Sequence, residues 1–143
     1  MAVPTIATRL RAQDGNTLLL FPFAVLVLLV LGGLALDAAV AFQADRRAVD
    51  EAAALANDIA GVLDPAAFLT AGGQVRVDAA FAEVATRAAN DRLAPDLVCD
   101  HVVDGAQVEV TCSGSVRPII LPALGGLTGI DVGGTVRTSA VQR

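Results

Sequence analysis

A run of twenty residues without a charged side chain, residues 17–36, constrains the fold of this chain more than any other feature. It reads TLLLFPFAVLVLLVLGGLAL. As an α-helix, the run would be about 30 Å long, which is the thickness of the hydrocarbon core of a bilayer. Helices of soluble proteins are rarely apolar on every face over such a length. The run therefore predicts one membrane-spanning helix close to the N-terminus.

The charges on either side of the run predict its orientation. Arg9 and Arg11 precede it, whereas the first charged residues after it are Asp37 and Asp45. Because positively charged residues stay in the cytoplasm, we expect a single-pass protein of the cell membrane with a cytoplasmic N-terminus and an extracytoplasmic C-terminal domain. The predicted parts are a cytoplasmic segment, a transmembrane helix, a helical stalk and a small extracytoplasmic domain: residues 1–16, 17–37, 38–63 and 64–143.

A cleaved signal peptide, which would release a secreted soluble protein, is the alternative to a permanent anchor. Ala39-Val40-Ala41 offers an A-x-A cleavage site. However, the run is longer than the hydrophobic region of most signal peptides, and Asp37 interrupts the approach to that site. Both features favour a permanent anchor.

The predicted anchor extends from Thr17 to Asp37, and several of its residues affect how the helix can begin, bend or pack. Pro22 either lies in the first turn of a helix that begins near residue 21 or kinks a longer helix. Asp37 either marks the outer membrane interface or makes a polar contact with another transmembrane helix. Gly32 and Gly33 would permit close helix approach, although no G-x-x-x-G motif is present.

The alanine-rich stretch that follows, residues 38–63, contains no proline and a single glycine. This composition predicts that the helix continues beyond the membrane as a stalk, with a break at Asp64-Pro65. Apolar residues recur at helical spacing and predict one buried stripe. The predicted stripe consists of Val49, Ala53, Ala56, Ala60 and Leu63.

A second helix and a small sheet are predicted after this break. Asp78 is a suitable N-cap for a helix over 79–93, which Pro95 ends. The apolar stripe of that helix is predicted at Phe81, Val84, Ala85, Ala88 and Ala89. Two strands joined around Asp104-Gly105 and a third after an irregular crossover are predicted at 97–103, 107–116 and 130–141. The predicted fold is therefore α+β, with a small antiparallel sheet.

The two cysteines, Cys99 and Cys112, lie in opposite arms of the predicted hairpin. Outside the cytoplasm, such a pair favours a disulfide. A register symmetric about Asp104-Gly105 places Cys99 near Val110, so the bond would need a diagonal pairing or a bulge.

The N-terminal half resembles the TadE/TadG-like proteins, which are membrane-anchored components of the tight-adherence (Flp-type) pilus assembly system. The resemblance extends over residues 9–63 and rests on Asp14-Gly15, the apolar run with its early Pro22, Asp37, Arg46-Arg47 and the alanine-rich segment 51–57. It implies a structural role and other pilin-like or pilus-assembly proteins as partners.

One departure from this family concerns processing of the N-terminus. Prepilin-like members carry glutamate at the fifth position after the glycine that precedes the cleavage point. Here the fifth residue after Gly15 is Leu20. The departure favours an uncleaved, TadG-like anchor over a major filament subunit.

Nucleic-acid and metal binding are not expected. The net charge of −5 provides no basic surface for nucleic acid. His101, the only histidine, could ligate zinc together with Asp100 and the two cysteines. The spacing matches no common zinc module, and a disulfide would remove both thiolates.

Catalysis and phosphate binding are not expected either. Ser113 and Ser115 are not part of a G-x-S-x-G motif, and their positions suit solvent-facing strand or turn residues. Neither Gly125-Gly126 nor Gly133-Gly134 is followed by Gly-Lys-Ser/Thr, so these pairs are interpreted as turns and bends. The sequence predicts no enzyme activity, cofactor or small-molecule substrate.

Two hypotheses of function follow from the sequence. The first is a minor pilin-like or assembly component of a Tad/Flp-type pilus or a related secretion apparatus. It would present exposed strand edges and the glycine-rich segment 124–134 to partners. The second is a membrane-tethered binding or regulatory module of the cell envelope, which a concave apolar pocket would favour.

Overall fold

The computed structural model describes residues 14–70, 72–126 and 128–140, with side-chain surroundings from Leu20 onward. Arg9 and Arg11, on which the predicted orientation rests, lie outside the described residues. The helices are α1 (Asp14–Ala60), α2 (Pro65–Thr70) and α3 (Ala79–Leu93). The strands are β1 (Leu97–Asp104), β2 (Gln107–Val116) and β3 (Ile130–Ser139). A short 3-10 helix, Leu121–Leu124, lies between β2 and β3.

Helix α1 is one continuous helix of 47 residues, so the apolar run does continue into the alanine-rich stalk. In the described part of the chain, α1 is the only helix that is long and apolar enough to cross a membrane. Pro22 lies inside α1, which excludes a helix that begins near residue 21. The helix ends at Ala60, three residues before the predicted end of the stalk.

The two halves of α1 have different surroundings. From Leu20 to Leu29 every side chain is exposed, whereas from Gly33 onward one face is buried at helical spacing. The predicted stripe on this half is largely wrong, because the buried residues lie mostly one position earlier; Val49 is exposed. Alanines occur on several faces of this segment, so their pattern does not show which face is buried. The fully buried stalk residues are Ala48, Ala52, Leu55, Ala56 and Ile59.

The sheet has three antiparallel strands in the order β1-β2-β3, which confirms the predicted α+β class. Helix α1 packs on β2 and β3, while α3 packs on β1. The core lies between these helices and the sheet, and the largest side chains that are completely enclosed include Ile59, Val108 and Val110.

The turn of the hairpin lies one residue later than predicted, which shifts the pairing register by two residues. Asp104 pairs with Gln107, so the turn consists of Gly105 and Ala106, and Cys99 lies directly opposite Cys112. Gly105 has φ of +61°, a value that glycine adopts without strain at the first central position of a two-residue hairpin turn. The expected diagonal or bulge is therefore not required, and Cys99 and Cys112 form the predicted disulfide.

Helix α3 has the predicted boundaries, but its predicted stripe is mostly wrong. Asp78 caps the helix by accepting hydrogen bonds from the N–H groups of residues 80 and 81, at 2.9 and 3.1 Å. Phe81 and Val84 are exposed, because α3 contacts its neighbours mainly through smaller side chains on the adjacent face. The buried residues are Ala82, Thr86, Ala89 and Leu93.

Asn90 of α3 covers part of the edge of β1. Its side-chain amide donates to the carbonyl oxygen of Cys99 at 2.9 Å, and its side-chain oxygen accepts from the N–H of Cys99 at 2.7 Å. Asn90 thus supplies the pairing that a further strand would supply, and this pairing protects the edge beside the disulfide.

Helix α2 was not predicted, since Asp64-Pro65 was interpreted only as a break. Asp64 accepts hydrogen bonds from the N–H groups of Ala66 and Ala67, at 2.9 and 3.1 Å. An aspartate at the N-cap followed by proline at the first helical position is a typical start of a helix, so the sequence did contain the signal.

Replacing Gly134 with alanine is expected to destabilise the packing of the sheet on α1 by about 1–3 kcal/mol. A Cβ atom at this position would lie 2.5 Å from Cγ2 and 2.9 Å from Cα of Val49, so α1 would have to move. Gly129→Ala is the matched control, because nothing lies within 4 Å of its added Cβ atom. Chemical denaturation in detergent micelles, followed by circular dichroism, should separate the two variants; equal midpoints would contradict the close contact.

Candidate functional site

The candidate site is the contact between α1 and the segment 117–126, which is called the docking loop below. The sequence predicted an irregular crossover here, and the structure places it against α1 at Gly33 and Asp37. The contact joins residues more than 80 positions apart in the chain. It lies at the end of the sheet where β2 finishes and β3 begins.

The carboxylate of Asp37 holds the docking loop by accepting three hydrogen bonds from backbone N–H groups of the loop. One carboxylate oxygen, Oδ1, accepts from the N–H of Ile119 at 2.7 Å. The other, Oδ2, accepts from the N–H groups of Ile120 and Leu121, each at 2.9 Å. These donors precede or begin the 3-10 helix, where N–H groups lack partners within the helix, so Asp37 caps it from a distant part of the chain.

The carboxylate of Asp37 is 2% exposed and satisfied within its own chain. The two interpretations of Asp37 from the sequence were a membrane-interface residue and a polar contact with another transmembrane helix. In the described structure the polar contact is made with the backbone of the docking loop and not with another transmembrane helix, whereas a position at the membrane interface stays a prediction. A contact with a second helix is therefore not needed to satisfy this carboxylate in an apolar environment.

Gly33 allows the docking loop to approach α1 closely. A Cβ atom at Gly33 would lie 2.6 Å from Cγ1 of Ile120, whereas one at Gly32 would meet no atom within 4 Å. The close approach predicted for this glycine pair thus occurs at Gly33 alone, and the approaching group in the described structure is a loop of the same chain. Gly32 remains on the exposed face.

Replacing Gly33 with alanine is expected to weaken docking of the loop by about 1–3 kcal/mol, because Ile120 must move away from α1. Gly32→Ala is the control on the same helix, and it is expected to be neutral or stabilising because alanine favours helix. Thermal unfolding in detergent micelles measures both effects. A Gly33→Ala variant as stable as Gly32→Ala would show that Ile120 does not require this space.

A second aspartate of α1 holds β3 two turns farther along the helix. Asp45 accepts a hydrogen bond from the N–H of Gly133 at 3.1 Å. The next glycine, Gly134, lies against Val49. Part of the glycine-rich segment 124–134, which the sequence suggested as a surface for partners, is therefore occupied by α1 of the same chain.

The outer face of β2 and β3 is polar. The hydroxyls of Thr111 and Thr135 lie 3.0 Å apart on adjacent strands. Arg137 donates two hydrogen bonds to Glu109, at 2.8 and 3.2 Å, and this pairing raises the pKa of Arg137. This part of the outer face is therefore suited to water rather than to an apolar partner, whereas Val98 and Val102 are exposed on β1.

The residues considered for metal binding or catalysis have other surroundings. Nδ1 of His101 lies 2.9 Å from the hydroxyl of Thr86. Cys99 and Cys112 are bonded to each other. Ser113 and Ser115 are exposed on β2. Within residues 14–70, 72–126 and 128–140, no group of three or more His, Cys, Asp or Glu side chains is arranged to hold a metal ion.

A shallow groove of about 660 Å³ lies at the end of the sheet nearest the docking loop. Both charged and apolar side chains line it, including Arg47 of α1, Asp96, Arg117 and Val132. It differs from the concave apolar pocket that would favour a small-molecule site, but it offers a mixed surface beside Ala44 and Arg47, in the half of α1 that is packed into the domain.

Of the anchor residues selected from the sequence, the structure brings only Gly33 and Asp37 to the docking loop. Thr17 and Pro22 lie earlier in α1, and the disulfide lies in the sheet. Sequence reasoning missed Ile120 and the other loop residues that complete the site. No family model, curated protein or solved structure matches this chain.

Proposed function

We propose that the protein is a membrane-anchored, pilin-like structural or assembly component of a Tad/Flp-type pilus or a related secretion apparatus. The observation that carries this proposal is the division of α1 into an exposed apolar half and a half that is packed into the domain. The resemblance of residues 9–63 to TadE/TadG-like proteins supports the same assignment. The partners would be other pilin-like or pilus-assembly proteins of the membrane.

The absence of a flexible connection between anchor and domain in the described chain favours a structural role over a tether. Helix α1 is uninterrupted from Asp14 to Ala60, and the sheet packs directly on it. Asp37 and Asp45 of α1 also accept hydrogen bonds, Asp37 from the docking loop and Asp45 from β3. A displacement of the helix is therefore transmitted to the domain, as a subunit of a mechanical assembly requires.

The docking loop supports a permanent anchor. Cleavage after Ala41 would remove Gly33 and Asp37 from the protein. The N–H groups of residues 119–121 would lose their acceptors, and Ile120 would lose the surface on which it packs. A membrane location with a cytoplasmic N-terminus and an extracytoplasmic domain, as Arg9 and Arg11 indicate, is part of the proposal.

The second candidate is a membrane-tethered binding or regulatory module of the cell envelope. The groove beside Arg47, Asp96 and Arg117 is the observation that favours it, because such a surface could bind a polar segment of a neighbouring protein. This module would need the domain and its anchor, but it would not affect the number of pili.

Deletion of the gene in its native strain tests the proposal. We expect few or no pili by electron microscopy, and restoration by the full-length chain or by Gly32→Ala, which changes an open position of α1. Residues 42–143 exported behind a cleavable signal peptide should not restore them. Normal pili in the deletion strain would contradict a structural role, and recovery of the full-length chain as a soluble cytosolic protein with reduced thiols would contradict the anchor.

A further inference from the structure

The docking loop lies beside a part of α1 whose exposed side chains are apolar on both sides of the contact. Gly33 and Asp37 make the contact, and Val40 and Phe42 remain exposed beyond it. Phe42 lies about 7.5 Å farther along the helix axis than Asp37. A bilayer that covers the exposed apolar side chains of α1 as far as Phe42 therefore also reaches the level of the docking loop.

The composition of this region suits lipid better than water. Residues 118–130 contain no charged side chain, and Thr128 is the only polar one. Ile119 is 70% exposed and Leu124 is 54% exposed, although loops on soluble surfaces are usually polar. Exposed apolar side chains that are grouped in this way mark an interaction surface.

We infer that the docking loop is a second membrane contact, in which Ile119 and Leu124 enter the lipid leaflet on the side of the domain. The inference rests on the proposed membrane anchor and adds to it a site of lipid contact in the C-terminal half of the chain. The loop acts as an interfacial element: its apolar side reaches the boundary between headgroups and acyl chains, and the backbone N–H groups of residues 119–126 have acceptors within the protein.

The hydrogen bonds of the loop make this location energetically feasible. Backbone N–H groups without partners are costly in an apolar environment. The donors of residues 119–121 are bound to Asp37. At the other end of the 3-10 helix, Gly125 and Gly126 donate to the carbonyl oxygens of residues 122 and 121, at 3.1 and 2.8 Å. Arg117, the first residue of the docking loop, is exposed, so its charge can remain among the headgroups.

The other occupant of this surface would be a protein, either a second copy or a partner helix. Lipid is favoured because the loop is continuous with the exposed apolar face of α1, which itself requires lipid around it. No additional partner needs to be supplied, since the same bilayer covers both. The two occupants give different results in the experiment below.

Single tryptophans can measure the depth of the loop, because the chain contains neither tryptophan nor tyrosine. The full-length variants Ile119→Trp and Leu124→Trp are reconstituted into phosphatidylcholine vesicles that contain lipids brominated at defined acyl positions. Leu28→Trp, at a 69% exposed position of α1, is the control inside the membrane. Val102→Trp, at a 65% exposed position near the far end of the sheet, is the control in water.

We expect the emission of Ile119→Trp and Leu124→Trp to be blue-shifted and quenched, most strongly by bromines near the headgroups. Leu28→Trp should be quenched most strongly by deep bromines, and Val102→Trp should not be quenched. Loop tryptophans that behave like Val102→Trp, with Leu28→Trp still quenched, would overturn the inference and leave the anchor intact. A blue shift without quenching would mean that protein covers the loop and would also overturn it. Absence of quenching at Leu28→Trp would overturn the anchor itself.

Discussion

Replacing Cys99 and Cys112 with alanine is expected to lower the free energy of unfolding of the extramembrane domain by about 3 kcal/mol. The disulfide joins positions 13 residues apart, so it removes conformations from the unfolded chain. Its relative contribution is large because many of the buried side chains are alanines, each of which buries little area. About 3 kcal/mol is a substantial part of the roughly 5–15 kcal/mol that stabilises a typical domain.

Chemical denaturation of the full-length protein in detergent micelles, followed by circular dichroism, measures this loss. Reduction of the wild-type disulfide should reproduce it. Thr111→Ala is the matched control, since Thr111 precedes Cys112 on the same strand but is exposed, and its hydroxyl lies 3.0 Å from that of Thr135. A loss in the cysteine variant no larger than that of Thr111→Ala would mean that the disulfide is not a main source of stability.

The sequence was most informative about the positions and lengths of the long helices. Charge-free length predicted α1, and the N-cap Asp78 together with Pro95 predicted the limits of α3. It was least informative about which helix face is buried. In both alanine-rich helices the predicted stripe was mostly wrong by one position, because alanine fits either face and burial is decided by the sheet that packs there.

The hairpin shows how one backbone preference determines the register. Asp104-Gly105 was taken as the turn, but the sheet uses Gly105 and Ala106. Placing glycine first in the turn moves the partner of Cys99 from Val110 to Cys112, so that the two cysteines meet directly. Requiring the cysteines to be opposite each other would have given this register from the sequence.

The docking loop was beyond the reach of local sequence patterns. Residues 118–129 were predicted only as an irregular crossover, since periodicity and turn signals describe neighbours along the chain. The contact with Asp37 depends on how the sheet packs along α1, which brings together positions more than 80 residues apart. The available signals were an aspartate at the end of an apolar run and a segment, 118–129, with no charged residue, and neither one identifies the other as its partner.

Replacing Asp37 with leucine is expected to release the docking loop from α1. Hydrogen bonds to a charged acceptor contribute about 1.5–3 kcal/mol each, and the three made by Asp37 would all be lost. Even if the three bonds together contributed only about 3 kcal/mol, the upper value for a single such bond, amide hydrogen exchange at residues 119–121 would increase by at least about 100-fold. Asp37→Asn should give a smaller increase, because one amide oxygen remains as an acceptor while the amide nitrogen opposes a backbone donor.

Asp45→Asn is the matched control, since Asp45 lies on the same helix but accepts a single hydrogen bond, from Gly133. Its exchange at residues 119–121 should equal that of the wild type. Exchange in β1 and β2 should remain slow in all three variants, because the disulfide and the pairing of these strands do not involve Asp37. If Asp37→Leu exchanged at residues 119–121 like the wild type, the carboxylate would not hold the loop. Packing of Ile120 against Gly33 would then have to account for docking, and the effect of Gly33→Ala would decide whether it does.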